Sequence, residues 1–165
     1  MKKIIFGLIV FGLTTQMFSQ EITLDEIQLF SNHNYFTATN TEQLALPVKK
    51  LEDQVVDYKA DKTDFKYDKG EIYNVTFSIP EGNIIAAYND QGVLVSTIEK
   101  YTNVRLPSEV IYAILNRFPK WAIVSNIYYV NYHNEKGITK KLYKIELINA
   151  DKSLDIKTDD KGNFL

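Results

Sequence analysis

The sequence contains no cysteine, and its 165 residues include only two histidines and seven glycines. The absence of cysteine excludes disulfide bonds, thiolate metal sites, cysteine nucleophiles and lipid attachment to a cysteine. No glycine-rich phosphate-binding loop occurs, and the G-x-S-x-G motif of serine hydrolases is also missing. The two histidines, His33 and His133, are isolated and form no H-E-x-x-H zinc motif. No catalytic motif is therefore recognisable in this sequence.

The composition is that of an ordinary globular protein. Apolar residues make up 45% of the chain and charged residues 24%, which is too apolar for intrinsic disorder. The length predicts one domain. The net charge of −2 lacks the basic footprint of nucleic-acid-binding proteins, so we expect no nucleic-acid partner.

The N-terminal segment has the layout of a secretory signal peptide. Lys2 and Lys3 precede an almost unbroken apolar run over residues 4–13, and polar residues follow it. The run is too short to span a membrane, which requires about 20 apolar residues. We therefore expect residues 1–19 to be a signal peptide and residues 20–165 to be a single exported domain without a transmembrane segment. The expected location is periplasmic or extracellular.

The rest of the chain is typical of short strands separated by turns. Alternating apolar and polar residues over 73–79 predict a strand with one buried and one solvated face. The run 121–132 is apolar on both faces, which predicts a central strand or one that faces a ligand. The predicted strands are 73–79, 83–88, 93–101, 121–132, 143–147 and 154–158.

Two segments have helical periodicity, and each begins at a proline. Proline is tolerated at the start of a helix because its missing N–H has no partner there. The first helix starts at Pro47 and the second at Pro107; Pro119 ends the second. Residues 21–46 give a weaker signal, which fits either a helix start or a strand, and a strand is favoured.

The two halves of the chain share a pattern. Residues 72–95 align without a gap on residues 142–165, with the apolar alternation in register. This predicts tandem half-repeats over 41–100 and 101–165, the first of them degenerate. The expected fold is α+β, an antiparallel sheet with two helices packed on it.

Several of these segments resemble a known family. They are the YNDQG turn, the helix PSEVIYAILNRFP, the tyrosine-rich strand after Trp121, the strand LYKIEL and the terminal TDDKGNFL. Together they are similar to the PepSY-like domains of secreted Bacteroidota proteins, which are related in fold to β-lactamase-inhibitor proteins. The resemblance implies an α+β domain with a non-catalytic role, the binding or inhibition of another protein or peptide in the envelope. It implies no catalytic residues and no cofactor.

Aromatic content is the feature most typical of binding. Tyrosine and tryptophan are enriched in interfaces because they offer rigid contact area with a polar group. Alternation places Tyr128 and Tyr132 on one face of their strand and Tyr129 on the other, and one face must be core. The favoured interpretation is that most of the tyrosines fill a small core between sheet and helices. If one set is exposed, we expect it to contain Tyr128 and Tyr132, together with polar residues of the neighbouring strand. The predicted partner-binding residues are Tyr128, Tyr132, Lys140, Lys144 and Glu146.

Two other functions stay open at this point. One is an envelope hydrolase with an unrecognised carboxylate and histidine site. The other is a metal-sensing accessory domain, suggested by the acidic turns 89–92 and 159–162. Both turns lack the ligand series and closing glutamate of an EF-hand loop, and hairpin chemistry explains them, so no metal ligand is predicted.

Overall fold

The computed structural model describes residues 24–41, 44–59 and 70–165. The predicted signal peptide lies outside these ranges. The described residues form three helices and one six-stranded antiparallel sheet, which confirms the predicted α+β class. The helices are α1 (Leu24–Thr39), α2 (Leu46–Asp57) and α3 (Ser108–Arg117). The strands are β1 (Tyr73–Ile79), β2 (Gly82–Tyr88), β3 (Leu94–Thr102), β4 (Ala122–His133), β5 (Gly137–Asn149) and β6 (Lys152–Thr158).

The strands form a simple meander, because each one pairs with its neighbour in sequence. The order β1-β2-β3-β4-β5-β6 places β4 inside the sheet, as its two-sided apolar pattern predicted. All six predicted strands are confirmed. The largest difference is β5, which extends well before the predicted range 143–147 because the long β4 pairs with it over most of its length.

Helix α2 covers one end of the sheet. Val48, Leu51 and Val55 lie on one side of the helix and are buried, as the helical periodicity predicted. They pack over β1 and β2. Pro47 lies in the first turn of α2, where a backbone N–H would have no partner within the helix, so its absence costs no hydrogen bond.

Helix α1 was not foreseen, and the strand predicted within residues 21–46 is wrong. The helix packs against α2, β3 and β5. Its inward stripe consists of Ser31, Tyr35 and Thr39, which are buried at the i, i+4, i+8 spacing of a helix. Two of these residues are small and polar, so the helical period is invisible to a search for apolar residues.

Helix α3 packs on the end of the chain. Val110 and Ile114 are buried, and Phe118 contacts the ring of Phe164 edge to face at 5.8 Å. Gly162 lies against the first turn of α3 with φ +83°, and a Cβ there would approach the carbonyl oxygen of Glu109 to 2.7 Å. The position therefore requires glycine for both its backbone angle and its close approach.

The aligned halves contain two turns with the same hydrogen bonds. The side-chain Oδ1 of Asn89 accepts from the backbone N–H groups two and four residues later, and that of Asp159 does the same. Each turn closes through a glycine with positive φ, Gly92 or Gly162. These bonds occupy the Oδ1 atoms of Asn89 and Asp159. Descent of the halves from a duplication stays a prediction.

Within the described ranges, no helix has the length and apolar character needed to cross a membrane.

Candidate functional site

The two faces of the sheet differ sharply, and the predicted tyrosines lie on the covered one. Tyr128 and Tyr132 are each 3% exposed beneath the helices, and Tyr35 of α1 packs edge to face on Tyr132 at 5.2 Å. The prediction that these two tyrosines are exposed is wrong. The alternation was assigned correctly, but the unforeseen α1 covers the face that carries them.

The five predicted residues do not form one surface. Tyr128 pairs across the sheet with Tyr143, so the side chain of Lys144 points to the opposite side. Lys140 and Glu146 share that opposite side because they lie an even number of residues from Lys144. The structure therefore brings the three polar residues together and separates them from the two tyrosines.

A row of stacked tyrosines crosses the covered face. Register places Tyr101, Tyr128 and Tyr143 beside one another on β3, β4 and β5. Their ring centroids lie 6.0 Å and 4.4 Å apart in stacked orientation. On β2, the residue that pairs with Tyr101 is Gly82. A Cβ atom at Gly82 would lie 2.5 Å from the Tyr101 ring. Glycine thus makes room for the aromatic row.

A buried carboxyl group lies next to this row. Glu99 of β3 is fully buried and accepts hydrogen bonds from three hydroxyl groups. Its Oε1 accepts from Tyr35 and Thr97, each at 2.8 Å, and its Oε2 accepts from Tyr101 at 2.9 Å. Burial raises the pKa of Glu99, and the three donors oppose this rise because they stabilise the carboxylate.

A second buried glutamate, Glu52 of α2, faces the first. Glu52 is 5% exposed. Burial and the charge of Glu99 together raise the pKa of the Glu52 carboxyl group to about 9. Glu52 also hydrogen-bonds Thr39, whose hydroxyl proton is already donated to the Tyr35 carbonyl at 3.1 Å. The hydrogen bond with Thr39 lowers the pKa of Glu52 against the larger effect of burial.

Lys141 supplies the positive charge near these acids. It shares a sheet row with Glu99, separated from it by Val130. Its ammonium lies 3.0 Å from Asp160, and its charge lowers the pKa of both buried glutamates against the larger effect of burial. The two acids therefore lie among tyrosine and threonine hydroxyls and the ammonium group of one lysine.

A cleft of about 490 Å³ opens beside this cluster. The edges of Tyr128 and Tyr143 form part of its floor, with Lys141 beside them. Its walls come from the α1–α2 connection, the start of α3 and the turn after β6. The described residues that line it are Asn40, Thr41, Leu44, Ala45, Pro107, Glu109, Tyr128, Lys141, Tyr143, Asp160 and Lys161.

The histidines are not part of this cleft. His33 is exposed on α1, whereas His133 ends β4 and its Nδ1 accepts from the Glu135 backbone at 3.2 Å. The structure does not bring them together with the buried glutamates. Among the residues whose positions are described, no group of three or more His, Asp or Glu side chains is arranged to hold a metal ion.

The other side of the sheet, here named the open face, faces away from α1 and α2. The end of α3 lies near one edge of it, where Arg117 lines a cleft together with Asp155 and Lys157. Its centre is Tyr129, with Lys100 and Leu142 beside it in the same row. Ile98 is 56% exposed and pairs with Ile85, which is 38% exposed. These two isoleucines and Tyr129 form the apolar centre of the open face.

Charged residues surround this apolar centre. They are Lys100, Lys140, Lys144, Lys157, Glu146 and Asp155. The ammonium of Lys140 lies 4.8 Å from the centre of the Tyr129 ring, within cation–π range. Lys144 binds Asp155 at 3.0 Å, which raises the lysine pKa.

Sequence reasoning missed the buried glutamates, although a signal was present. Glu52 occupies the apolar face of its helix, one residue after Leu51 and three before Val55. Glu99 likewise lies on the inward-facing alternation of β3 between Thr97 and Tyr101. A charged residue at a core position of a regular pattern indicates a buried polar site.

No protein-family model matches the sequence, and no curated protein shows significant similarity to it. The likeness to PepSY-like domains thus depends on the short motifs quoted above and stays a prediction.

Proposed function

We propose that this chain is a non-catalytic, inhibitor-like binding module that is exported to the cell envelope and engages a protein or peptide there. The observation that carries the proposal is the open face. Ile98, Ile85 and Tyr129 form an apolar centre on a broad sheet surface, and charged side chains surround it. Apolar patches with a polar rim are typical of protein interaction sites.

The polar groups of the covered face also support a non-catalytic role. Its tyrosines and glutamates satisfy one another: three hydroxyls bind Glu99, and Thr39 binds Glu52. Such mutual pairing is expected of a polar core, whereas a catalytic acid requires access to a substrate. Export is supported by the basic and apolar layout of the first 19 residues, and the PepSY-like motifs favour binding over catalysis.

Site-specific photo-crosslinking tests this function. The crosslinker p-benzoylphenylalanine is placed at Ile98 on the open face, and in a control protein at Tyr112, an exposed residue of α3. After irradiation in cell-envelope extract, we expect the Ile98 protein to capture a discrete species that the Tyr112 protein does not. The additional substitution Tyr129→Ala should weaken this capture. Equal products from both positions, or none from Ile98, would refute the proposed function.

A further inference from the structure

We infer that the open face binds an acidic, extended protein segment that carries aliphatic side chains between its carboxylates. This inference rests on the proposed function and adds the chemistry of the partner. The inference follows from two observations: lysines of the open face have no carboxylate partner in the described structure, and apolar side chains lie between them near Tyr129.

The carboxylates of the open face are already occupied. Glu146 accepts from the Ser125 hydroxyl at 2.9 Å and from the Ser153 hydroxyl at 3.4 Å. Asp155 is bound to Lys144 at 3.0 Å. The acids of this surface thus have partners within the sheet itself.

Three lysines of the open face have no such partner. Lys100, Lys140 and Lys157 are exposed, and none forms an ion pair with a carboxylate among the described residues. The open face is therefore positive, although the whole chain has a net charge of −2. A positive surface attracts negatively charged partners and disfavours the pairing of two open faces.

The positions of two lysines suit an extended segment. Lys100 lies on β3 and Lys140 on β5, two strands apart and offset by two residues along the strands, which is about 12 Å at the usual spacings. Carboxylates four residues apart in an extended chain point to the same side and are separated by about 13 Å, with one side chain between them on that side. Between the lysines, the Tyr129 ring and Ile98 offer contact area for the intervening aliphatic side chains.

Nucleic acid and anionic membranes fit this surface less well. The open face retains two carboxylates, Glu146 and Asp155, and it contains no arginine. Phosphate-rich partners select arginine and dense positive charge. An acidic protein segment needs only a few ammonium groups and an apolar surface between them.

Titration with synthetic peptides tests the inference. The probe is a short peptide with the repeat Glu-Thr-Val-Thr, which places glutamate and valine in turn on one side of an extended chain, and its control is the same peptide with glutamine in place of glutamate. We expect the glutamate peptide to bind the wild-type protein about tenfold more tightly than the glutamine peptide, and to weaken as NaCl rises from about 0.05 to 0.5 M. The triple variant Lys100→Gln, Lys140→Gln and Lys157→Gln should lose this preference.

The control protein carries the same change at Lys49, Lys50 and Lys120, which are exposed outside the open face. It should keep the wild-type preference for glutamate. Equal binding of both peptides, absence of binding, or equal losses in the two triple variants would overturn the inference. Tighter binding of a single-stranded oligonucleotide or of phosphatidylglycerol vesicles would overturn it too. None of these results alters the crosslinking outcome at Ile98, so the proposed function is judged separately.

Discussion

Replacing Glu52 by glutamine should remove the contribution of Glu52 to the pH dependence of stability at the buried acid pair. The pKa of Glu52 is raised from 4.5 to about 9 by burial and by the neighbouring Glu99. Because the folded protein holds a proton that the unfolded chain releases, the stabilisation is complete below pH 4.5 and is lost as the pH rises towards 9. The loss amounts to about 1.4 kcal/mol per pH unit, or about 4 kcal/mol between pH 5.5 and 8.5. Glutamine keeps the shape and can still donate to Thr39, but it does not ionise.

Urea unfolding across this pH range measures the effect. Glu99, whose pKa is also raised, is present in both proteins, so the difference between variant and wild type reports the titration that is lost with Glu52, including its coupling to Glu99. We expect the stability of Glu52→Gln relative to wild type to rise by about 4 kcal/mol from pH 5.5 to 8.5. Glu135→Gln, the same change at an exposed turn residue, should show no such rise. A difference between Glu52→Gln and wild type that does not vary with pH would refute the protonated buried glutamate.

Three further substitutions test the packing by urea unfolding. Gly162→Ala should lower the free energy of unfolding by about 2–4 kcal/mol, because the position combines positive φ with a clash against α3. Gly137→Ala, at a position with positive φ and open space, should lower it by about 1 kcal/mol. Equal losses in the two variants would contradict the clash. Tyr35→Phe removes a hydroxyl donor from buried Glu99 and should cost about 1–3 kcal/mol at neutral pH, so an unchanged unfolding midpoint would exclude this bond. Leu51→Ala leaves a cavity beneath α2 and should cost about 2–5 kcal/mol; a loss below 1 kcal/mol would mean that α2 does not pack on the sheet.

Regular patterns made most of the fold predictable. A regular pattern shows which side of a strand or helix meets the core. The strand predicted from the alternation in Tyr73–Ile79 was confirmed, and so was the buried helix face that carries Val48, Leu51 and Val55. Helix α1 was not predicted from the apolar pattern, because it packs largely through polar contacts. Ser31 donates to the Leu94 carbonyl and Tyr35 to Glu99, and such bonds depend on partners distant in sequence.

The candidate site was less predictable for the same reason. Alternation separates Tyr128 from Tyr129 without stating which side the helices cover. That choice depended on α1, so the missed helix led to the wrong assignment of the exposed face. The rows that place Lys100 beside Tyr129, and Tyr128 beside Tyr143, exist only through strand register.

Isoleucine methyl NMR tests most directly whether binding occurs on the open face. Ile84 and Ile85 are neighbours in sequence but point to opposite sides of β2, the first buried and the second exposed. Ile98 extends the open-face set, and Ile145 extends the buried set. On addition of the glutamate–valine peptide, we predict concentration-dependent shifts at Ile85 and Ile98, with Ile84 and Ile145 nearly unchanged. Shifts confined to Ile84 and Ile145 would place binding on the covered side and contradict the account.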